Sequence, residues 1–185
     1  PAGGLWKKDG STLWEPLTDG LPVIGISGIA IDHNNPDIIY ILTGDGDGAQ
    51  TRSIGILKSV NGGSTWHATA LSFSVLDNIR GFKLLMNPID PQIMFAATTD
   101  GIYKTYDGWT SWYKEIAGYF FDIEYKPNDT SVVYATTNFH FWRSIDGGVN
   151  WTNFATGLPL ADSYRIAIGV SPDDNDVVYL LYGRD

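Results

Sequence analysis

Short apolar runs, separated by clusters of turn-forming residues, dominate this chain. In each repeat of the pattern, a first run of β-branched, aliphatic and aromatic residues is followed by a cluster of Pro, Asn or Asp residues. A second and a third short run then follow in the same order. No segment shows a helical apolar period of useful length. The pattern predicts antiparallel strands in three recurring sets: 27–32, 82–86, 121–125 and 165–170; then 38–42, 93–98, 132–136 and 177–182; then 55–59, 101–105 and 139–144.

An eight-residue segment ending in Trp follows each strand of the third set. It recurs at 59–66, 105–112 and 144–151, with a degraded copy at 7–14, and we call these the box segments. Each box segment predicts a hairpin turn, with the fourth strand of its unit starting at the Trp, because Asn, Asp and Gly favour tight turns. The distance from the aromatic residue of the second strand to the box Trp is the same in two units and nine residues longer in the first unit.

Four antiparallel strands that repeat at intervals of about 40 to 55 residues are typical of propeller blades. The sequence therefore predicts an all-β fold, a β-propeller of four-stranded antiparallel blades with about four blade equivalents. The predicted parts of this single domain, residues 1–185, are a partial blade 1–22, blades 27–71, 82–118 and 120–159, and a partial blade 164–185. The two partial blades could complete each other in a four-bladed ring, but a segment of a larger propeller is the favoured interpretation.

The box segments resemble the Asp-box repeat, also called the bacterial neuraminidase (BNR) repeat. Their Lys-Ser-Val-Asn-Gly-Gly form is most similar to the sortilin and xyloglucanase group of that family. The resemblance implies a structural role in the hairpin for the matching positions, rather than catalysis, and a secreted or cell-surface location. The matching residues are Ser59, Asn61, Gly63, Trp66, Thr105, Asp107, Trp112, Ser144, Asp146, Gly148 and Trp151.

Composition and charge exclude several classes of function. The formal net charge is −9 and only 12 residues are Lys or Arg, which argues against nucleic acid as a partner. The absence of cysteine excludes disulfides and thiolate chemistry. No apolar stretch approaches the roughly 20 residues that cross a bilayer, so membrane insertion is not expected.

The nine extra residues of the first unit lie in a Gly-rich acidic loop at 43–53. Asp45 and Asp47 could act as general acid or base, or ligate calcium together with Gln50, and Arg52 could hold a substrate group. No cofactor is required, and calcium is the ion that this loop could bind. The competing interpretation is a turn-rich loop with solvated carboxylates. The resemblance to xyloglucanases implies a catalytic Asp in the comparable loop, although Asp45 is displaced by one residue from the family pattern.

Aromatic residues are the other candidates for ligand contact. Tyr119, Phe120, Phe139, Phe141 and Trp142 cluster along the chain, and Trp142 is the candidate for stacking on a glycan or a protein ligand.

These observations lead to two hypotheses about function. The first is a scaffold or recognition module that binds glycan or protein, and the alternative is a xyloglucanase-like part of a glycoside hydrolase. The remaining blades of a larger chain are a further expected partner.

Overall fold

The computed structural model describes residues 3–10, 13–23, 25–46, 51–158 and 165–183. These residues form three four-stranded and two two-stranded antiparallel sheets, which confirms the predicted all-β class. The strands are β1 (Trp6–Lys7), β2 (Glu15–Pro16), β3 (Ile26–Ile31), β4 (Ile39–Thr43), β5 (Gly55–Ser59), β6 (His67–Ser72), β7 (Gly81–Met86), β8 (Met94–Thr98), β9 (Gly101–Thr105), β10 (Tyr113–Ala117), β11 (Asp122–Lys126), β12 (Asp129–Thr136), β13 (Phe141–Ser144), β14 (Thr152–Phe154), β15 (Arg165–Val170) and β16 (Val178–Gly183).

Each complete sheet follows chain order, from β3 to β6, from β7 to β10 and from β11 to β14. The first strands of consecutive sheets contact one another, β3 with β7, β7 with β11 and β11 with β15. These first strands are therefore the inner strands of blades arranged around a common axis. This is the architecture of a β-propeller.

The hydrophobic core lies between the blades. The second strands β4 and β8 are buried along their whole length, because the neighbouring blades cover both faces of the sheet. One cluster joins the first and second complete blades through Tyr40, Leu84 and Met94. A second cluster joins the second and third complete blades through Phe95, Ile123 and Val133.

The structure differs from the sequence prediction at a few local points. The fourth strands begin one residue after the box Trp, and β12 begins earlier than predicted and contains a register shift beside Tyr125 and Lys126. The part of the chain that the structure describes also contains a 3-10 turn at Val75–Asp77, which no apolar periodicity predicted. It forms because Ser74 and Asp77 cap each other's backbone N–H groups. Among the described residues, no helix is long and apolar enough to cross a membrane.

Candidate functional site

The first complete blade has a long loop where the second blade has a tight turn. The same threonine hydrogen bond closes both connections. In the second blade, Thr98 Oγ1 donates to the carbonyl of Gly101, three residues ahead, at 2.9 Å. In the first blade, Thr43 Oγ1 donates to the carbonyl of Gly55, twelve residues ahead, at 2.7 Å. Ile54 N also donates to Thr43 Oγ1 at 2.9 Å. The long loop therefore begins and ends on the same threonine hydrogen bond as the tight turn.

The loop lies at the start of the inner strand of the next blade. Ser53 N donates to the carbonyl of Ile79 at 2.8 Å, and a Cβ built on Gly46 would collide with the ring of Phe82. Asp45 is 6% exposed, and its N–H donates to the carbonyl of Thr51 at 3.0 Å. The loop thus carries a carboxylate residue to the end of the axis between the inner strands.

Three aromatic rings from two different blades meet at this end. The ring centroids of Phe82 and Phe121 are 4.8 Å apart, those of Phe82 and Tyr119 are 5.3 Å apart, and those of Tyr119 and Phe121 are 4.8 Å apart. Phe82 is buried, whereas Tyr119 and Phe121 are half-buried. A half-buried group of tilted rings offers both an apolar surface and ring edges to a ligand.

Two arginines flank the rings. Arg80 Nη2 donates to the hydroxyl of Tyr119 at 3.0 Å, and its guanidinium carbon lies 5.8 Å from the Tyr119 ring centroid. Arg165, the first residue of β15, places its guanidinium carbon 6.0 Å from the Phe82 ring centroid. We call Arg80, Phe82, Tyr119, Phe121 and Arg165 the axial cluster. It combines aromatic surface with fixed hydrogen-bond donors.

A β-bulge places Phe82 in this cluster. The pairing of β7 with β8 shifts register between Gly81 and Lys83, so Phe82 is the extra residue of the bulge. The first blade has the same shift between Ile26 and Gly28. Bulges bend a strand and redirect one side chain, and they are common beside functional sites.

A charged network lies one residue further along the same inner strands. Lys83 Nζ lies 2.8 Å from Asp122 Oδ1 and 2.5 Å from Glu124 Oε1. Asp122 Oδ2 also accepts the N–H of Ile168 at 2.8 Å. Burial lowers the pKa of Lys83, but the hydrogen bonds and negative charges of the two carboxylates outweigh burial and raise that pKa above its ordinary value. These carboxylates are therefore paired with a cation that stays protonated.

The remaining predicted ligand residues are Asp47, Gln50, Arg52 and Trp142. Asp47 and Gln50 lie outside the described residues, so the calcium site stays a prediction. Within the described residues, no three His, Asp or Glu side chains come together as metal ligands. Arg52 is half-buried beside Ser53 in the loop. Trp142 packs half-buried against the cluster between the second and third blades, its ring centroid 6.1 Å from that of Phe120.

The box segments lie at the opposite end of the strands from the long loop, since they join β5 to β6, β9 to β10 and β13 to β14. In the third box, Ser144 Oγ accepts the N–H of Gly148 at 2.8 Å, and Asp146 Oδ1 accepts the N–H of Asn150 at 2.9 Å. Asn61 and Asp107 make the corresponding bonds. The backbone N–H of Asn150, its side-chain amide and Ser144 lower the pKa of Asp146 below its ordinary value. The box carboxylates are engaged in turn formation.

The Trp residues of the boxes differ both in their hydrogen-bond partners and in burial. Trp66 Nε1 donates to the carbonyl of Leu17 at 2.9 Å and Trp112 Nε1 to the carbonyl of Ala70 at 3.0 Å, so both contact the preceding blade. Trp151 Nε1 donates to Gly148 of its own turn at 3.0 Å. Trp66 and Trp151 are half-buried, whereas Trp112 is exposed.

Comparison with known proteins points to xyloglucanases. No protein-family model matches the sequence. The xyloglucanase Xgh74A of Acetivibrio thermocellus is 30% identical over 125 residues, which are 60% of this chain and 15% of the relative. A xyloglucanase of Paenibacillus sp is 29% identical over 125 residues, which are 60% of this chain and 12% of the relative. The chain therefore spans 15% or less of the length of these two relatives.

Solved structures show the same fold. The GH74 enzyme of Niastella koreensis superposes with a TM-score of 0.69 and 21% identity, over 98% of this chain and 30% of the other chain. An ancestral GH74 enzyme superposes with a TM-score of 0.65 and 22% identity, over 86% of this chain and 24% of the other chain. At these identities the likeness shows a shared fold and leaves the activity to be argued from the site.

Proposed function

We propose that this chain forms blades of a xyloglucanase-like glycoside hydrolase, and that the loop of Asp45 and the axial cluster contact the glycan. The observation that carries the proposal is the packing of this loop on Phe82, which places a carboxylate residue beside an aromatic and arginine-rich surface. The similarity to xyloglucanases supports the substrate class. The recurring turns are proposed to be of the Asp-box type.

The chemistry of a glycan fits this surface. Sugar rings have apolar faces that pack on aromatic rings, and their hydroxyls accept hydrogen bonds from guanidinium groups. Asp45 is proposed to act as the general base that deprotonates the attacking water. A second carboxylate, acting as general acid, must lie about 6.5 to 9.5 Å away to leave room for that water. Since Asp122 and Glu124 are paired with Lys83, we assign that acid to a part of the enzyme other than these blades.

The expected location follows from the substrate. A polysaccharide is too large to enter a cell unaided, so an enzyme that cleaves it must act outside. We therefore propose that the protein is secreted or displayed on the cell surface.

Glycan recognition without hydrolysis is the second candidate function. It is favoured by the strong burial of Asp45, which leaves 6% of this residue exposed for contact with water and substrate. In that case the axial cluster would bind the glycan, and the loop would shape the surface.

The test separates binding from chemistry. Affinity electrophoresis in gels containing xyloglucan measures binding, and we expect Phe121→Ala to reduce retardation about tenfold while Asp45→Asn keeps it. A xyloglucan oligosaccharide with a 2-chloro-4-nitrophenyl leaving group measures hydrolysis, because such a leaving group needs no general acid. Release of the phenol by the wild type and its loss in Asp45→Asn would support the assigned base.

The matched control is Asp37→Asn, an exposed carboxylate at the opposite end of the same sheet, which should change neither measurement. Retardation without phenol release would favour the recognition module. Absence of both signals in the wild type would overturn both functions.

A further inference from the structure

The first box segment contains an Asn-Gly pair where the second and third box segments contain Asp-Gly. The pair is Asn61–Gly62, and it is the only Asn-Gly pair in the sequence. Asparagine is chemically labile, and a following glycine increases that lability, because glycine has no side chain to shield its nitrogen and reaches the bent backbone that cyclisation needs. This pair is therefore a candidate for spontaneous deamidation.

The reaction needs only water as a co-reactant. The nitrogen of Gly62 loses its proton and attacks Cγ of Asn61, the new C–N bond closes a succinimide ring, and the side-chain nitrogen leaves as ammonia. Water then adds to one of the two ring carbonyls and opens the ring. Opening on one side leaves an aspartyl residue. Opening on the other side leaves an isoaspartyl residue, in which the main chain runs through the former side-chain carbon.

The folded box engages both reacting groups in hydrogen bonds. The attacking N–H of Gly62 donates to the carbonyl of Asp37 at 2.9 Å, and Gly62 is buried. Asn61 Oδ1 accepts the hydroxyl of Ser59 and the N–H of Thr65, each at 2.9 Å. Asn61 Nδ2 donates to Thr65 Oγ1 at 2.9 Å. Both the loss of the glycine proton and the rotation of the asparagine amide thus require these bonds to break.

The second and third boxes show that the same turn accepts a carboxylate. Asp107 Oδ2 accepts the hydroxyl of Ser111 at 2.7 Å, and Ser111 occupies the position of Thr65. Asp146 Oδ2 accepts the side-chain amide of Asn150 at 2.7 Å. A hydroxyl donates as well as accepts, so Thr65 Oγ1 can reverse its role and donate to a new carboxylate. An aspartyl product therefore keeps the hydrogen bonds of the box.

The isoaspartyl product does not fit this turn. Its main chain is longer by one carbon and its carboxylate arm is shorter by one carbon, so the carboxylate no longer reaches Thr65 while Gly62 stays bonded to Asp37. The turn has little room for a longer main chain, because a Cβ built on Gly63 would lie 2.6 Å from Leu17 Cδ1. The two products therefore differ in their effect on the fold.

We propose that Asn61–Gly62 is a site of spontaneous deamidation that the intact box segment suppresses, and that its aspartyl product supplies the carboxylate that the second and third boxes already carry. The reaction proceeds through opening of the box, so its rate reports the local stability of this turn. The site lies at the opposite end of the strands from the glycan site and is independent of it.

The first test compares the folded and unfolded wild type in mildly alkaline buffer. Peptide mapping by mass spectrometry follows the exchange of ammonia for water at Asn61, with and without concentrated urea. We expect the reaction to be at least about thirtyfold slower in the folded protein. Equal rates in the two conditions, or no reaction at Asn61 in urea, would overturn the proposal.

Two matched variants locate the protection. Thr65→Val removes the acceptor of Asn61 Nδ2 and should accelerate deamidation of the folded protein about fivefold, without changing the rate in urea. Ser111→Ala removes the corresponding bond of the second box and should leave the rate at Asn61 unchanged. Equal acceleration by both variants would show that global unfolding, rather than the first box, controls the reaction.

A third variant transfers the site to another box. Asp146→Asn creates an Asn-Gly pair in the third box, where the N–H of Gly147 donates to the carbonyl of Ser131 at 2.6 Å. We expect the new pair to show the same protection in the folded protein and the same reactivity in urea. Rapid deamidation of this pair in the folded protein would contradict protection by the box.

The products are compared after refolding from urea and separation by ion exchange. The aspartyl form should melt within about 2 °C of the wild type, as Asn61→Asp should, and the isoaspartyl form should melt at least about 5 °C lower. An aspartyl form as unstable as the isoaspartyl form would show that the first box does not accept the carboxylate, and the proposal would then be wrong.

Discussion

The carboxylate of Asp146 shows how one side chain fixes a turn and makes it sensitive to acid. Its pKa is lowered in the folded protein, because the N–H of Asn150 and its side-chain amide bind the charged form. A group with a lowered folded pKa stabilises the protein above its unfolded pKa of about 3.9, and this contribution is lost as the pH falls through the folded value. We expect Asp146→Asn to cost less than about 1 kcal/mol at pH 7, because the exposed carboxylate is screened by solvent, and to flatten the decrease of stability below pH 4.

The first box supplies the reverse experiment. Asn61 occupies the same position and accepts the N–H of Thr65 at 2.9 Å without carrying a charge. Asn61→Asp should therefore steepen the decrease of stability below pH 4. Urea denaturation at several pH values measures both variants, and parallel pH profiles for the wild type and Asp146→Asn would contradict the argument.

Trp109 combines two opposing effects at one residue. It adopts a φ of +66° where Gly63 and Gly148 adopt +92° and +90°, and its side chain is fully buried in the cluster between the first two complete blades. The left-handed conformation costs a non-glycine residue about 1 to 2 kcal/mol, which the burial of the large ring exceeds. The position thus retains Trp for packing rather than for turn geometry.

The two smaller replacements of Trp109 separate these effects. Both should destabilise the protein by about 3 to 5 kcal/mol, because the ring leaves a cavity. Trp109→Gly should nevertheless be about 1 kcal/mol more stable than Trp109→Ala, because glycine relieves the backbone strain. Chemical denaturation gives both values. An alanine variant as stable as the glycine variant would show that strain is absent.

The inner strands are joined by a charged contact that acts at the scale of the element. Lys83 of β7 binds two carboxylates of β11, and Asp122 of β11 accepts a backbone N–H of β15. Lys83→Met should leave the two carboxylates close together without their cation. We expect a loss of about 2 kcal/mol, below the value for fully buried pairs because Lys83 and Glu124 are partly exposed.

Lys8 provides the matched control for this prediction, because it is an exposed lysine of the first partial blade. Lys8→Met should change the free energy of unfolding by less than about 0.5 kcal/mol. Thermal and urea unfolding of the two variants measure the difference. Equal effects would show that the network of Lys83 contributes nothing beyond surface charge.

The sequence predicted the long loop of the site and named Tyr119 as a candidate for ligand contact, but it missed the other residues of the axial cluster. The loop was visible because one unit exceeds the others by nine residues. Phe82, Tyr119 and Arg165 belong to different blades, and only the closing of the blades around the axis brings them together. The sequence does contain one sign of the cluster, because Phe82 and Phe121 both lie at the start of an inner strand. The bulge that redirects Phe82 depends on strand pairing, which a single sequence does not display.

At the scale of the molecule, the repeats made the fold predictable. Each unit presents the same order of strands and turns, so one correct unit specifies the others, and strand positions differ from prediction mostly by one or two residues. The burial of individual residues was less predictable, because it depends on which neighbouring blade covers a face. Leu181 is 73% exposed on β16, whereas Ala96 and Ala97 of β8 are completely buried.

This difference in cover predicts a gradient of local stability along the chain. Repeat architectures gain stability mainly from neighbour contacts, so the second complete blade, which is packed on both faces, should open last. Amide hydrogen exchange should be slowest in β8 and β9, which are buried throughout, and fastest in β1, β2 and β16, which have exposed residues. Phe95→Ala should accelerate exchange in both adjoining blades, because its ring belongs to the cluster between them. Leu181→Ala should leave the exchange of β8 unchanged. Uniform exchange rates across all the strands would mean that the blades unfold as one cooperative unit, and the gradient would then be excluded.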